Sequence, residues 1–357
     1  MMFRFSPSHG SFGMMRKQVS TIASTLVLTG CIIGQNVSPK AIPSLGDAQK
    51  SFAGKQYKEA AAQCALIAAH ANDPQLRLNA FLLEAKSLIN VSDFPSAETV
   101  LNKYLYGRPL SSEALYLLGY VLERENKPRE SLAVYTRAAD LAPPQPNDLK
   151  LVALDYVLLN DYSDAVVWFK RCLADDPANS EAWYFLGRAH MERGDFVEAE
   201  KDFHHTLALT PNDSKALNNL GLSLEAQNRT DEAIKAYSAA VSIQKDREHE
   251  SEQPLLNLGT LLNNENHFRD ALLYLAHAVE VAPGSARCHE ELSRALTATG
   301  DSEQGILAME RAVALDKANP RLHFLLGQLY RKAGQTAKAS AEFQTSKRLY
   351  GSHSTKQ

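Results

Sequence analysis

The sequence predicts an all-α protein, a solenoid of stacked helix–turn–helix hairpins, on three observations. Apolar side chains recur three and four residues apart along most of the chain, the spacing of one helix face. The same residue types return at the same offsets every 34 residues, with unit starts at 78, 112, 146, 180 and 214. Small residues and prolines punctuate each interval at fixed places, where helices cross, turn or stop. Chance does not hold such a register. One hairpin of this kind cannot bury its own apolar face, so each unit requires neighbours.

The unit 180–213 shows the pattern most fully. Trp183, Leu186, Gly187 and His190 mark its first helix; Ala199, Phe203, Thr206 and Pro211 mark the second. The turn falls at Gly194-Asp195. Gly187 and Ala199 lack bulk where the two helices cross, and Pro211 stops the second helix. Asn179 and Ser180, then Asn212 and Asp213, offer caps for the helices that follow. The 34-residue helix–turn–helix with these columns resembles the tetratricopeptide repeat. The resemblance implies a right-handed superhelix of about nine units, with starts near 41, 78, 112, 146, 180, 214, 252, 286 and 320. It also implies that the first helix of each unit lines a concave groove, the default binding surface.

Taken in order, the unit at 41 is degenerate in its first half but keeps Tyr57, Ala60, Cys64 and Ile67 in the second. The unit at 78 has Phe81, Ala85, Leu88, Phe94, Ala97, Leu101 and Tyr104. Units 112 and 146 supply Leu118, Gly119, Ser131 and Tyr135, then Val152, Ala153, Ala165, Phe169 and Cys172. The run Pro143-Pro144-Gln145-Pro146 excludes helix between them. Unit 214 carries Leu220, Gly221, Ala233, Tyr237 and Ala240. The spacing then slips by four residues before 252, about one helical turn. A second helix one turn longer, or a charged loop around 245–251, accounts for it. Leu258, Gly259, Ala271, Leu275 and Pro283 restore the register. Unit 286 is weaker, with Leu292, Gly305, Met309 and Ala312; Ser302 starts its second helix, as Thr230 and Thr336 start theirs. Unit 320 opens on Pro320 at a helix start and continues with Leu326, Gly327, Tyr330, Ala339 and Phe343. The solenoid is expected over 47–350, with a short tail at 351–357.

The beginning differs in kind. Arg16 and Lys17 precede an apolar run over 19–28 that is too short to span a bilayer. It ends in Leu28-Thr29-Gly30-Cys31. A basic flank, a short apolar core and small residues describe an export signal over 1–30. The last four residues resemble the lipobox of bacterial lipoproteins, which implies cleavage before Cys31 and lipidation of its sulfur. An ordinary export signal with an incidental cysteine is the alternative. Met14 and Met15 stand closer to the basic flank than Met1 does. Ile32 follows the cysteine where retention in the inner membrane is associated with aspartate; this favours the outer membrane, facing the periplasm, in a Gram-negative source. Residues 31–46 read as a linker, with Ser38-Pro39 and Ile42-Pro43-Ser44.

With 45% hydrophobic and 22% charged residues in 357, the composition is that of a globular chain. A net charge of −3 argues against nucleic acid as partner, which favours a strongly basic domain. The 11 histidines are scattered. His289-Glu290-Glu291-Leu292-Ser293 begins like a zinc-protease helix, but Ser293 stands where the second histidine must be. The adjacent His204 and His205 point apart on a helix. No phosphate loop and no nucleophile elbow occurs. The reading is therefore non-enzymatic, with no metal and no cofactor. Cys64 and Cys172 occupy packing columns, and an exposed Cys288 would be a liability.

The groove columns that the resemblance carries over are Tyr116, Tyr120, Tyr184, Arg188, Met191, Asn218 and Leu222 in the centre. Toward the end they are Arg287, Arg294, Arg321, Phe324, Gln328, Arg331 and Lys332. Aromatics and arginines anchor interfaces, and the basic end suits an acidic peptide or a C-terminal carboxylate. The lysine, asparagine and arginine set of chaperone-binding members is missing. The expected partner is a protein or peptide segment, and the membrane is reached through Cys31. The function expected is a lipid-anchored adaptor for assembly of a pilus, secretion or other envelope complex. A regulator of a cell-wall enzyme, or a cytoplasmic scaffold with a misassigned N-terminus, are the alternatives.

Overall fold

The computed structural model describes residues 42–106, 111–245 and 250–354. The signal, the lipobox with Cys31 and most of the linker lie outside the described residues. Among those described there are helices and no strands. They divide into two units, 1–172 and 173–357.

The first unit contains α1 (Leu45–Ala53), α2 (Tyr57–His70), α3 (Pro74–Asn90), α4 (Phe94–Leu105), α5 (Ser112–Arg124), α6 (Pro128–Ala139), α7 (Pro146–Leu158) and most of α8 (Tyr162–Asp175). The second contains α9 (Ser180–Arg193), α10 (Phe196–Leu209), α11 (Ser214–Ala226), α12 (Thr230–Gln244), α13 (Glu252–Asn264), α14 (Phe268–Val281), α15 (Ala286–Ala298), α16 (Ser302–Leu315), α17 (Pro320–Lys332) and α18 (Thr336–Ser354). Within each unit successive hairpins stack, first helix against the next first helix and each second helix against the hairpin that follows.

Each hairpin closes on a glycine or other small residue of its first helix facing a large side chain of its second. A Cβ on Gly187 would stand 2.8 Å from the Phe203 ring, and one on Gly221 would stand 2.5 Å from Tyr237. Gly119 meets Tyr135 at 2.8 Å, Gly259 meets Leu275 at 2.5 Å and Gly327 meets Phe343 at 2.7 Å in the same way. The sequence reading made Gly187 a point of backbone approach; the structure makes it the seat of a ring sixteen residues on. Phe203, Tyr237 and Leu275 are wholly buried there, each stabilising by roughly 1.5–3 kcal/mol. In the hairpin of α15 and α16 the roles are exchanged. Ser293 stands in the glycine column and donates to the carbonyl of Gly305 at 2.5 Å, which explains why that unit looked weak.

Every hairpin turn contains one residue with positive φ, at the same offset from the unit start. Gly194 takes it at 81°, Asn126 at 59°, Asn228 at 60° and Asn266 at 62°. Glycine and asparagine tolerate this left-handed conformation; Lys55 and Ser92 adopt it at 59° in the two earliest hairpins. The next amide then returns to a carbonyl five residues back, as Asp195 does to His190 at 2.9 Å and Arg229 to Leu224 at 3.0 Å, closing the helix end.

Between hairpins a different clasp recurs. A side-chain N–H in the first turn of a helix donates to a carbonyl six residues earlier. Trp183 Nε1 reaches Pro177 at 2.9 Å, His289 Nε2 reaches Pro283 at 3.1 Å and His323 Nε2 reaches Lys317 at 3.1 Å. Arg77 does the same to Ala71. Surface ion pairs also link hairpins at one register: Glu98 to Lys127 at 2.8 Å and Glu200 to Arg229 at 2.6 Å. Such half-exposed pairs contribute about 0–1 kcal/mol each.

Some boundaries differ from the sequence reading. Ser44 caps α1, so the helix begins inside the stretch read as linker. Asp73 caps α3 at Pro74, four residues ahead of the start at 78. Asp301, not Ser302, accepts the capping bond at α16, and no side chain caps α12 at Thr230. The second helix of unit 214 closes at Gln244, so the four-residue slip is not an extra turn; Gln244 Nε2 instead donates to the Ser251 carbonyl at 2.5 Å. Cys64, Cys172 and Cys288 are all buried, and burial pushes the Cys64 thiol up to about 12.

One buried acid stands apart. Asp155 on α7 is 0% exposed, and neither carboxyl oxygen has a hydrogen-bond partner. The hydroxyl of Tyr135 is equally buried and unpartnered, while the Ser131 hydroxyl beside Asp155 donates to Gly119 at 2.9 Å. Burial raises the Asp155 carboxyl from 3.8 to about 8.

Two predictions follow from these contacts. Gly221→Ala gains up to about 1 kcal/mol of helix propensity but overpacks Tyr237 by about 1–3 kcal/mol. Chemical denaturation should show a net loss of about 1–2 kcal/mol, whereas Gly284→Ala, with nothing within 4 Å, should show none. For Asp155, the native state keeps a proton that the unfolded chain releases, so stability is greatest at low pH with respect to this group. Unfolding free energy should fall by about 1.4 kcal/mol per pH unit from near pH 4 to near pH 8 and then level. Asp155→Asn should remove this group's share of the slope in urea melts, leaving the part due to Glu84, whose carboxyl burial raises to about 7.

Candidate functional site

First helices are positioned by their second helices, and their remaining faces form clefts within each unit. In the first unit α5 presents Tyr116 and Tyr120, one turn apart. With Phe52 of α1, Ile89 of α3, Leu117 and Leu151 of α7 they line a cleft of about 660 Å³. The Tyr116 hydroxyl donates to the Ala142 carbonyl at 2.7 Å, which fixes its ring as a wall. Burial, then the charge of Asp148, pushes that phenol up to about 12. Tyr120 stands edge-on to Phe94, centroids 6.4 Å apart. The cleft's ionic groups are largely engaged: Lys86 pairs with Glu113 at 2.7 Å, and Asp148 accepts from the Gln145 amide at 2.8 Å.

In the second unit a cleft of about 460 Å³ lies between α15 and α17, with Leu325, Leu329, Met309 and Phe268 as its apolar wall. Arg294, Arg321, Gln328 and Lys332 also line it. The structure adds their counter-charges, which the sequence reading left out. Arg321 binds Glu290 at 2.6 Å, and Arg294 lies 3.7 Å from Glu291 while donating to Asn264 at 2.8 Å. Glu290 is buried, and burial raises its carboxyl against the opposing pull of Arg321. Arg294 and Arg321 thus each face a carboxylate of this same chain.

The other expected residues are not gathered into that cleft. Tyr184 is half-buried against Phe203, centroids 6.1 Å apart, and accepts from Asn219 at 3.1 Å. Asn218 is buried and accepts from Asn257 at 2.9 Å, so amides run from one first helix to the next. Arg188 is exposed, with its guanidinium 5.9 Å from the Phe185 ring. Arg287 is exposed as well. Phe324, 45% exposed, meets Phe343 at 5.7 Å, and Arg331 lies over the same ring at 5.8 Å. Phe52 was missed because the first unit is degenerate where it sits, and Ile89 because it lies outside the columns that the resemblance carries over. Among the described residues no group of three or more His, Cys, Asp or Glu is placed to hold a metal. His205 stacks on Trp183 at 4.2 Å, and His204 lies 3.9 Å from Glu200. No described helix is long and apolar enough to cross a membrane.

Fold and clefts together define a helical-hairpin repeat protein. The family model described as the Cilia and flagella-associated protein 70 middle TPR-like domain matches residues 149–350, and a tetratricopeptide repeat model matches residues 82–146. The chain belongs to this family of tetratricopeptide-like repeat domains. It is similar to the BBSome complex member BBS4 of Bos taurus, 26% identical over 231 residues, covering 64% of this chain and 43% of that one. The chain spans about half the length of the curated relatives it matches. A tetratricopeptide repeat protein of Parabacteroides merdae superposes with a TM-score of 0.51 at 19% identity, over 70% of this chain and 96% of that one. PilF of Pseudomonas aeruginosa superposes with a TM-score of 0.51 at 19% identity, over 58% and 92%. At these identities the two structures speak to the fold alone.

Proposed function

We propose that this protein is a non-enzymatic scaffold that holds extended protein segments in its clefts and is tethered to a bacterial membrane through lipid on Cys31. The observation that carries the binding role is the pair of clefts lined by first-helix side chains, apolar at the wall and charged or amide-bearing at the rim. Preformed concave surfaces with a few placed polar groups are where ligands lodge. The similarity to a member of a protein complex fits the same role. The tether rests on the sequence Leu28-Thr29-Gly30-Cys31; buried acyl carbons stabilise by roughly 0.8 kcal/mol each, so more than one chain makes a lasting anchor. Assembly of an envelope complex, such as a pilus or secretion machine, is the setting that this combination suits.

Two measurements test the reading. Cells fed labelled palmitate should label the wild type and not Cys31→Ser; absence of label in the wild type would remove the anchor. A photo-crosslinking residue at Gln328, in the second cleft, should yield discrete protein adducts that the same residue at the exposed Leu273 of α14 does not. Equal adducts at both positions would count against cleft binding.

A further inference from the structure

We propose that the outer face of the last hairpin seats an acidic amphipathic helix of a partner protein. The seat lies outside both clefts, in the groove between α17 and α18, with a volume of about 310 Å³. Ala339 and Phe343 are its apolar part, Ser340 and Gln344 its neutral polar part, and Arg331 and Lys347, both exposed, its charges. The stack sets the shape of the guest. A first helix packs on both helices of the hairpin before it, as α15 does on α13 and α14. That contact completes the burial of the side chain seated on the glycine column. Tyr237 and Leu275 are wholly buried, whereas Phe343, seated on Gly327, is only half-buried. Among the described residues no helix follows α18 to cover it.

Charge sets its chemistry. In register with Lys347 and Ser340 of α18 stand Val313 and Ile306 of α16, and Val279 and Leu272 of α14, all packed into their cores. A guest as apolar as the chain's own first helices would therefore bury the Lys347 ammonium without a partner, which is costly. A helix with a narrow apolar ridge and carboxylates opposite Lys347 and Arg331 removes that cost. No carboxylate of this chain lines the groove. The hairpin's one acid, Glu342, is held by His323 at 2.6 Å. Residues 320–354 carry six cations against that single acid, in a chain whose net charge is −3. Solvation of an array end needs only polar groups of either sign; charge of one sign steers and selects an acidic partner.

A second copy of the chain is a poor guest. Two such basic ends repel one another. The hairpin of α1 and α2 offers Lys50, Lys55 and Lys58 against only Asp47 and Glu59, so it brings no acidic complement. The helices between have their apolar ridges committed to their own stack.

The test uses the full chain and three fluorescein-labelled eighteen-residue peptides, followed by fluorescence anisotropy. They share one ridge of leucine and alanine at helical spacing and differ only in the residues flanking it: Glu, Gln or Lys. The Glu peptide should bind saturably, the Gln peptide at least tenfold more weakly, and the Lys peptide more weakly still. Lys347→Glu should weaken the Glu peptide at least tenfold and strengthen the Lys peptide, an exchange that a misfolded hairpin would not give. Ser340→Trp, which fills the groove from an exposed position, should abolish binding, and Gln328→Ala in the second cleft should change nothing. No saturation by the Glu peptide, equal affinity for the Gln peptide, or an unchanged order of affinities in Lys347→Glu overturns the proposal. So does dimerisation of the full chain in sedimentation that Ser340→Trp abolishes, since a second copy would then fill the seat. Adducts at Gln328 are independent of every one of these outcomes.

Discussion

The contact on which the stack depends is small and repeated. A helix can lie close to its partner only where it has no side chain to obstruct, and it stays there only if the partner fills the space. Gly221 with Tyr237 and Gly187 with Phe203 meet both conditions at once. The ring is wholly buried by the pair and the next hairpin, so one residue ties three helices together. Ala85 and Ala153 occupy the same column in their hairpins with one methyl to accommodate, and both are fully buried. Where the column holds Ser293, a hydroxyl bond to Gly305 replaces the fit, and the glycine has moved to the opposite helix. The final hairpin shows what neighbours contribute: Phe343 sits on Gly327 but remains only half-buried, with no hairpin beyond it among the described residues.

Second helices bury their large residues against the stack while leaving others, such as Leu273, exposed on the outer face, and the clefts lie on the first helices. These clefts differ in chemistry within one architecture. In the first unit tyrosines dominate and ionic groups are few. In the second, arginines and glutamates neutralise each other across successive hairpins, as Arg321 and Glu290 do.

The fold was legible because its determinants are local and periodic. The 34-residue columns, the proline stops and the turn at Gly194 all follow from short-range geometry that repeats. Asn126, Asn160 and Asn228 occupy the same turn position as Gly194, yet only a register alignment with that glycine exposes their left-handed role. Asn179 and Asp213 cap where the sequence offered them, the cap of α16 is one residue early at Asp301, and none forms at Thr230, since neighbouring polar residues compete for the same orphan amides. The clefts were legible in part. Tyr116, Tyr120, Arg294 and Arg321 stand where the first-helix columns place them. The partner of Arg321 did not show, because Glu290 lies in a neighbouring hairpin and a pairing across hairpins has no signature along the chain. The unpartnered, buried Asp155 was likewise invisible: an acid on a helix face reads as solvated until the packing around it is known.

Interdependence of hairpins is the account's central claim, and the peptide 180–213 tests it most directly. By circular dichroism in water it should show little helix and no cooperative melt, since Phe203 and Leu186 have nothing to close against on the outer side. A cooperative, stably helical 34-residue peptide would show that a hairpin holds its own core, and the dependence on neighbours would be wrong.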